Sequence, residues 1–128
     1  MHFGTLRTIS LAALLAAGLS GPGLAAGDSD KGEKVFRKCK ACHVVDKEQN
    51  RVGPHLVGII GRTSGAVEGF KYSKAMKDAG LTWTEENLAA YLTDPRGFIK
   101  GNRMAFAGLK KEADVVNVIA YLKVVTVQ

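Results

Sequence analysis

The sequence predicts an all-α domain, and three observations carry that expectation. Apolar residues fall at helical spacing near both ends of the domain, helix caps and stops punctuate the stretches between, and there is no alternating strand pattern of any length. The exception is the Val-rich stretch at the C-terminus, whose pattern also suits a strand. A first helix is expected over 29–38, where Gly32, Val35, Phe36 and Cys39 stand at i, i+3, i+4 and i+7 and form one apolar face. Gly53-Pro54 and the stretch 58–69 then make a loop-rich middle. A second helix is expected over 73–79, with Ser73 as N-cap and Gly80 as its stop. The third, 84–93, has Thr84 as N-cap and Glu85 and Glu86 in the first turn, where carboxylates suit the helix dipole. Asp94-Pro95 ends it, because the residue before a proline is pushed out of the helical region. The last helix, 111–125, sets Val115, Val118, Ile119 and Leu122 along one face. There are no repeats or low-complexity tracts.

The chain has 128 residues, room for one domain, and its first 26 stand apart: they hold one Arg, no Lys and no acid. Met1 to Arg7 gives a short positive region. Ile9 to Leu19 is apolar, Gly21-Pro22-Gly23 breaks it, and small residues follow up to Ala25 and Ala26. That order is the pattern of a secretory signal cleaved after Ala25 or Ala26. An apolar run of 11 residues is too short for a membrane span, which takes about 20. The expectation is a removed leader over 1–26, a domain over 27–128, a periplasmic location and no stable membrane insertion. The domain then keeps 17 of the 18 cations and all 12 acids, a net charge of +5. With five Phe, three Tyr and one Trp in the whole chain, so small a domain is short of material for a core. A large α/β enzyme and a multidomain assembly are excluded.

The two cysteines stand in Cys39-Lys40-Ala41-Cys42-His43. A disulfide between them would close a tiny loop and constrain the unfolded chain little. Thiol–disulfide exchange wants such a pair at a helix N-terminus, where the dipole lowers the thiol pKa, but here a predicted helix precedes it. Zinc would need a second pair of ligands, and His55 alone remains in the domain. The remaining reading is the signature of c-type haem attachment. Two thiols separated by two residues can reach the two vinyl groups on one side of a porphyrin, and the following imidazole is then set to bind iron. One haem c would also supply the missing core.

His43 would fill one axial position. For the other, the domain offers Met76, Met104 and His55. Met76 sits inside the short second helix, which suits a packing residue. Met104 lies in a Gly-containing loop between two helices, where the backbone can approach a flat ligand. His55 directly follows Pro54 in a turn. Met104 is therefore the expected ligand, a soft thioether that favours the ferrous state.

Further stretches complete a pattern: Gly32 and Phe36 ahead of the cysteines, the run 51–62 from Arg51 through Gly53-Pro54 to Arg62, Gly69-Phe70-Lys71-Tyr72, Thr82-Trp83, Tyr91 to Pro95, Met104 to Gly108, and Val118 to Lys123. In this order, and over nearly the whole domain, the sequence resembles class I cytochrome c, close to mitochondrial cytochrome c and the short bacterial cytochromes c2. The resemblance implies a small all-α fold wrapped around one covalent haem, with the first and last helices crossing where Gly32 lets Tyr121 and Val118 pack close. It implies that the Pro54 carbonyl accepts the Nδ1–H of His43, and that Arg62, Tyr72 and Trp83 hydrogen-bond the haem propionates. It further implies that the Tyr91 hydroxyl touches the axial Met sulfur and that Phe106 covers the haem edge. Three positions depart from the family pattern: Asn102 stands in place of the usual Thr, Met76 in place of a polar residue, and Phe98 in place of Tyr.

Lys38, Lys40, Lys100, Arg103, Lys110 and Lys111 flank the haem motif and the Met loop in sequence, whereas Lys47 and Lys123 read as ordinary solvated charges. Such a ring would steer the acidic docking faces of membrane-bound redox complexes to the haem edge. Nucleic acid is not expected, since the chain is exported and does not interleave aromatic and basic residues. The expected function is a monomeric one-electron carrier between a quinol-oxidising complex and a terminal oxidase or photosynthetic reaction centre. It is not an enzyme, because both axial positions are filled. A haem enzyme or gas sensor with a labile sixth position is the alternative, and a thiol oxidoreductase is a third reading.

Overall fold

The computed structural model describes Gly18 and residues 26–126; the expected leader, apart from Gly18 and Ala26, lies outside the described residues. Five helices follow one another: α1 (Ser29–Phe36), α2 (Lys74–Asp78), α3 (Glu85–Thr93), α4 (Pro95–Phe98) and α5 (Glu112–Val125). Among the described residues there is no strand, only an isolated bridge between Thr63 and Thr82. The domain is all-α, as the periodicity predicts.

Side-chain caps start several of the helices, and Ser73 and Thr84 do so at the residues the sequence names. Asp28 accepts the Lys31 N–H at 3.0 Å, Ser73 Oγ the Met76 N–H at 3.0 Å, and Thr84 Oγ1 the Asn87 N–H at 3.1 Å. Each satisfies one of the N–H groups that a helix start leaves without a partner. One expectation is corrected. Asp94-Pro95 is a restart as well as a stop: Pro95 opens α4 at a position whose N–H would be free anyway, and Asp94 caps it by accepting the Gly97 N–H at 3.1 Å. The last helix runs through Val125 as expected, the Val-rich end included, because the face made by Val115, Val118, Ile119 and Leu122 is buried and carries the chain with it. Thr126 closes α5, its hydroxyl donating to the Leu122 carbonyl, while its own carbonyl accepts the Gly58 N–H.

The main packing contact is α1 against α5. A Cβ at Gly32 would collide with the Asn117 carbonyl and come within 2.7 Å of Tyr121 Cβ, so the helices cross backbone to backbone there. Tyr121 is at the crossing as the resemblance implies, and Asn117 rather than Val118 supplies the nearest atoms. The Phe36 and Tyr121 rings meet at 5.3 Å, and the Asp28 N–H donates to Asn117 Oδ1 at 2.9 Å. Helix α1 ends at Phe36, two residues earlier than the apolar spacing suggests, but the chain goes on turning. The Cys39 N–H donates to the Phe36 carbonyl, and the Cys42 and His43 N–H groups donate to the Cys39 carbonyl. This coiled continuation carries the two cysteines and the histidine into the interior.

Candidate functional site

The domain encloses an apolar cavity of about 420 Å³. All ten residues singled out for a haem line it: Cys39, Cys42 and His43 from the coil after α1, Pro54 and Arg62 from the middle loops, and Tyr72 and Trp83 from either side of α2. Tyr91 comes from α3, and Met104 and Phe106 from the loop between α4 and α5. Leu88, Val118 and Leu122 add core-facing surface from α3 and α5. His55 does not line this cavity; it opens with Arg62, Glu48 and Asn50 onto a second, wider one of about 510 Å³.

His43 Nδ1 lies 2.7 Å from the Pro54 carbonyl oxygen. Donation to that carbonyl fixes the tautomer and leaves Nε2 as the nitrogen with a free lone pair. Burial pushes the His43 pKa below its ordinary value, more than the Pro54 bond raises it, so the imidazole is kept neutral and able to ligate. Gly53 is required beside it, since a Cβ there would strike the imidazole ring. Both cysteines are half-buried and are not joined to each other, and burial raises the pKa of the Cys39 thiol.

Arg62 donates from Nη1 to the Val57 carbonyl at 2.9 Å, while its Nε is buried with no partner. Tyr72 accepts the Val67 N–H at 3.2 Å, which leaves its hydroxyl proton to donate elsewhere. Trp83 is buried and packs on Tyr91 with ring centroids 5.0 Å apart. The Tyr91 hydroxyl lies 3.8 Å from Met104 Sδ and 3.5 Å from Asn102 Oδ1. Burial pushes its pKa up to about 12, so it keeps its proton at neutral pH. Met76 also lines the cavity, so lining alone does not distinguish the two methionines.

The donor set fits a haem on this chain's own geometry. A flat hydrophobic group would fill the cavity, the Cys39 and Cys42 thiols and the His43 imidazole share its wall, and the orphaned Arg62 Nε would meet a carboxylate. Among the described residues, no group of three or more His, Cys, Asp or Glu side chains is placed to hold a metal ion directly.

A family model described as Cytochrome c matches residues 29–126. The chain belongs to the cytochrome c family. It is 56% identical over 89 residues to cytochrome c2 iso-2 of Magnetospirillum fulvum, covering 70% of this chain and 93% of the relative. It is 50% identical over 100 residues to cytochrome c 2.1 of Caenorhabditis elegans, covering 77% and 90% of the two chains. The solved structure of cytochrome cH from Methylobacterium extorquens superposes with a TM-score of 0.72 at 43% identity, covering 76% of this chain and 98% of that one. As a cytochrome c, the protein is an electron carrier rather than an enzyme and has one covalently attached haem c.

At the cavity rim the structure adds residues that sequence reasoning did not single out. Lys71 joins Lys38 and Arg103 along the lining, and Val52 stands 79% exposed beside them. The Gly69–Tyr72 stretch was legible as a motif, but nothing local says that its lysine reaches the cavity. Lys40, Lys100, Lys110 and Lys111 are exposed, and among the described residues none of the six expected ring cations is in a salt bridge. Lys123 is paired with Glu85 at 2.8 Å, in keeping with its reading as an ordinary surface charge. No helix among the described residues is long and apolar enough to cross a membrane.

Proposed function

We propose that this cytochrome c is an exported, soluble, monomeric shuttle whose haem is bound through Cys39 and Cys42 and ligated by His43 and Met104. It passes one electron at a time from a quinol-oxidising membrane complex to a terminal oxidase or photosynthetic reaction centre. The observation that carries the ligand assignment is that the Cys-x-x-Cys-His motif and Met104 line one apolar cavity. The leader is cleaved after Ala25 or Ala26 and the carrier works in the periplasm; a family match beginning at residue 29 supports that boundary.

The haem supplies a one-electron iron couple. The chain decides how that couple is held. Pro54 holds the Nδ1 proton of His43, which orients the ring and strengthens Nε2 as a donor. Tyr91 stands beside the Met104 sulfur with its proton in place. Arg62 and Tyr72, each with hydrogen-bonding capacity left over, take the propionates, and Trp83 joins them. The apolar walls exclude water, and two protein ligands leave no position for a substrate. Phe106 covers the haem edge.

Lys38, Lys71 and Arg103 at the rim, with the exposed lysines around them, form the docking face for acidic partners. Raising the salt from about 0.01 M to about 0.15 M shortens the screening length from ~30 Å to ~8 Å, so reduction by an isolated quinol-oxidising complex should slow about tenfold. A flat salt dependence removes the cation ring from the mechanism. The covalent assignment is tested by expressing the full chain with a haem-attachment system and denaturing the product in acid. The haem should stay on a chain whose mass begins at residue 26 or 27. Haem that extracts freely, or free thiols on a colourless folded protein, overturns it.

A further inference from the structure

Asn102 sits two residues before Met104, and its side-chain amide has every bonding position taken up. Its Nδ2 group donates to the Pro95 carbonyl at 2.7 Å and the Ile99 carbonyl at 2.9 Å. Its Oδ1 accepts the Met104 N–H at 2.9 Å and lies 3.5 Å from the Tyr91 hydroxyl. Turned over, the amide would set its oxygen against two carbonyls and its NH₂ against an N–H, so the neighbours fix its orientation.

These four contacts tie four pieces of chain together: the first residue of α4, the turn after it, the backbone of Met104 and, through Tyr91, α3. The Ile99 N–H also donates to the Pro95 carbonyl at 3.1 Å, but it is Asn102 that carries the tie on to the Met104 N–H. Lys100, Gly101 and Arg103 are exposed, and Gly101 takes a positive φ of 90°. The Asn102 N–H closes the turn onto the Ile99 carbonyl at 3.1 Å, and Ile99 is the buried anchor. A hydroxyl side chain has one proton and could not serve both carbonyls. A carboxylate has none. Only a carboxamide donates twice and still accepts the Met104 N–H.

The geometry points to Asn102 as a positioning residue that holds the Met104 loop shut and so sets how often the sixth iron position opens. This rests on the proposed Met104 ligation. Asn102→Ala would strip two carbonyls and one N–H of their partner at once, and water would compete for all three.

The test is the rate at which imidazole displaces the sixth ligand of the ferric holoprotein, followed by absorbance. Asn102→Ala should speed it at least about tenfold, equivalent to ~1.4 kcal/mol on the closed–open equilibrium. Asn102→Thr, which restores an acceptor and one donor, should fall between Ala and wild type. Ile119→Val, a core change of modest cost remote in sequence from the loop, should leave the rate within about twofold. In a Met104→Ala background, where the position is already open, Asn102→Ala should change nothing further. If Asn102→Ala is as slow as wild type while Met104→Ala is fast, the Asn102 inference falls and the ligation stands. An Asn102→Ala effect matched by Ile119→Val also sinks the inference, because the amide would then act only through global stability. If wild type is already as fast as Met104→Ala, Met104 is not the ligand and both fall.

Discussion

Met104→Ala should lower the reduction potential by about 0.2 V, a modest part of the ~0.8 V range over which axial ligands set haem potentials. It should abolish the weak long-wavelength band of ferric Met–iron ligation and let the ferrous protein bind CO. Met76→Ala should keep the band and refuse CO. Both methionines are partly buried and both line the cavity, so the contrast rests on what else touches each one. Met104 lies in a loop with its sulfur 3.8 Å from the Tyr91 hydroxyl and its N–H tied to Asn102. Met76 is inside α2, its N–H bonded to the capping Ser73. A thioether withdrawn from iron removes a soft donor that favours the ferrous form, so the potential must fall. For Met76 the loss is packing alone, about 2 kcal/mol at a partly buried position. Reversed roles, or a Met–iron band retained in Met104→Ala, would show the ligand assignment to be wrong. CO binding by the wild-type ferrous protein would favour a haem enzyme or gas sensor instead.

The Cys-x-x-Cys-His motif was legible because its signal is local. Cys39, Cys42 and His43 fall within five residues, and the caps Ser73 and Thr84 each act on an N–H three residues on. The apolar faces of α1 and α5 were legible for the same reason, since helical spacing writes burial into a short window. What escaped depends on contacts made across the fold. Asn102 reads as one of three departures from a family pattern, and its role exists only once the Pro95 and Ile99 carbonyls and the Met104 N–H converge on it. Lys71 follows an aromatic in a loop and shows nothing locally of its place on the cavity rim. Asp94-Pro95 carries two messages at once, because a proline that ends one helix is also well suited to begin the next. The Val-rich end reads as the close of the last helix, and the structure bears that out. Its β propensity is real, but burial of Val115, Val118 and Ile119 in the preceding turns decides the matter.

Gly32→Ala should cost about 3 kcal/mol, a large share of the ~5–15 kcal/mol that stabilises a domain of this kind. Taken alone, α1 would gain, since alanine is favoured over glycine inside a helix by about 1 kcal/mol. The crossing reverses the sign. The new methyl group would overlap the Asn117 carbonyl oxygen and sit 2.6 Å from its carbon, and these are backbone atoms of α5 that no rotamer change can move. Tyr121 Cβ, at 2.7 Å, is fixed to the same backbone. Helix α1 must therefore draw back, which loosens the Phe36–Tyr121 ring contact and the bond from the Asp28 N–H to Asn117 Oδ1. Overpacking of this sort costs about 1–3 kcal/mol, and a lost hydrogen bond adds about 1. At roughly 4–8 °C per kcal/mol for a domain of this size, the midpoint of thermal unfolding should fall by about 12–24 °C. Glu33→Ala, one residue along on the exposed side of α1, should move it by no more than the ~0.5 kcal/mol typical of surface changes. The haem would stay attached and the potential of the folded fraction would hold, because Gly32 does not line the cavity. A neutral or stabilising Gly32→Ala would mean that α1 and α5 do not meet backbone to backbone, and the coil that delivers Cys39, Cys42 and His43 would lose its anchor in the fold described above.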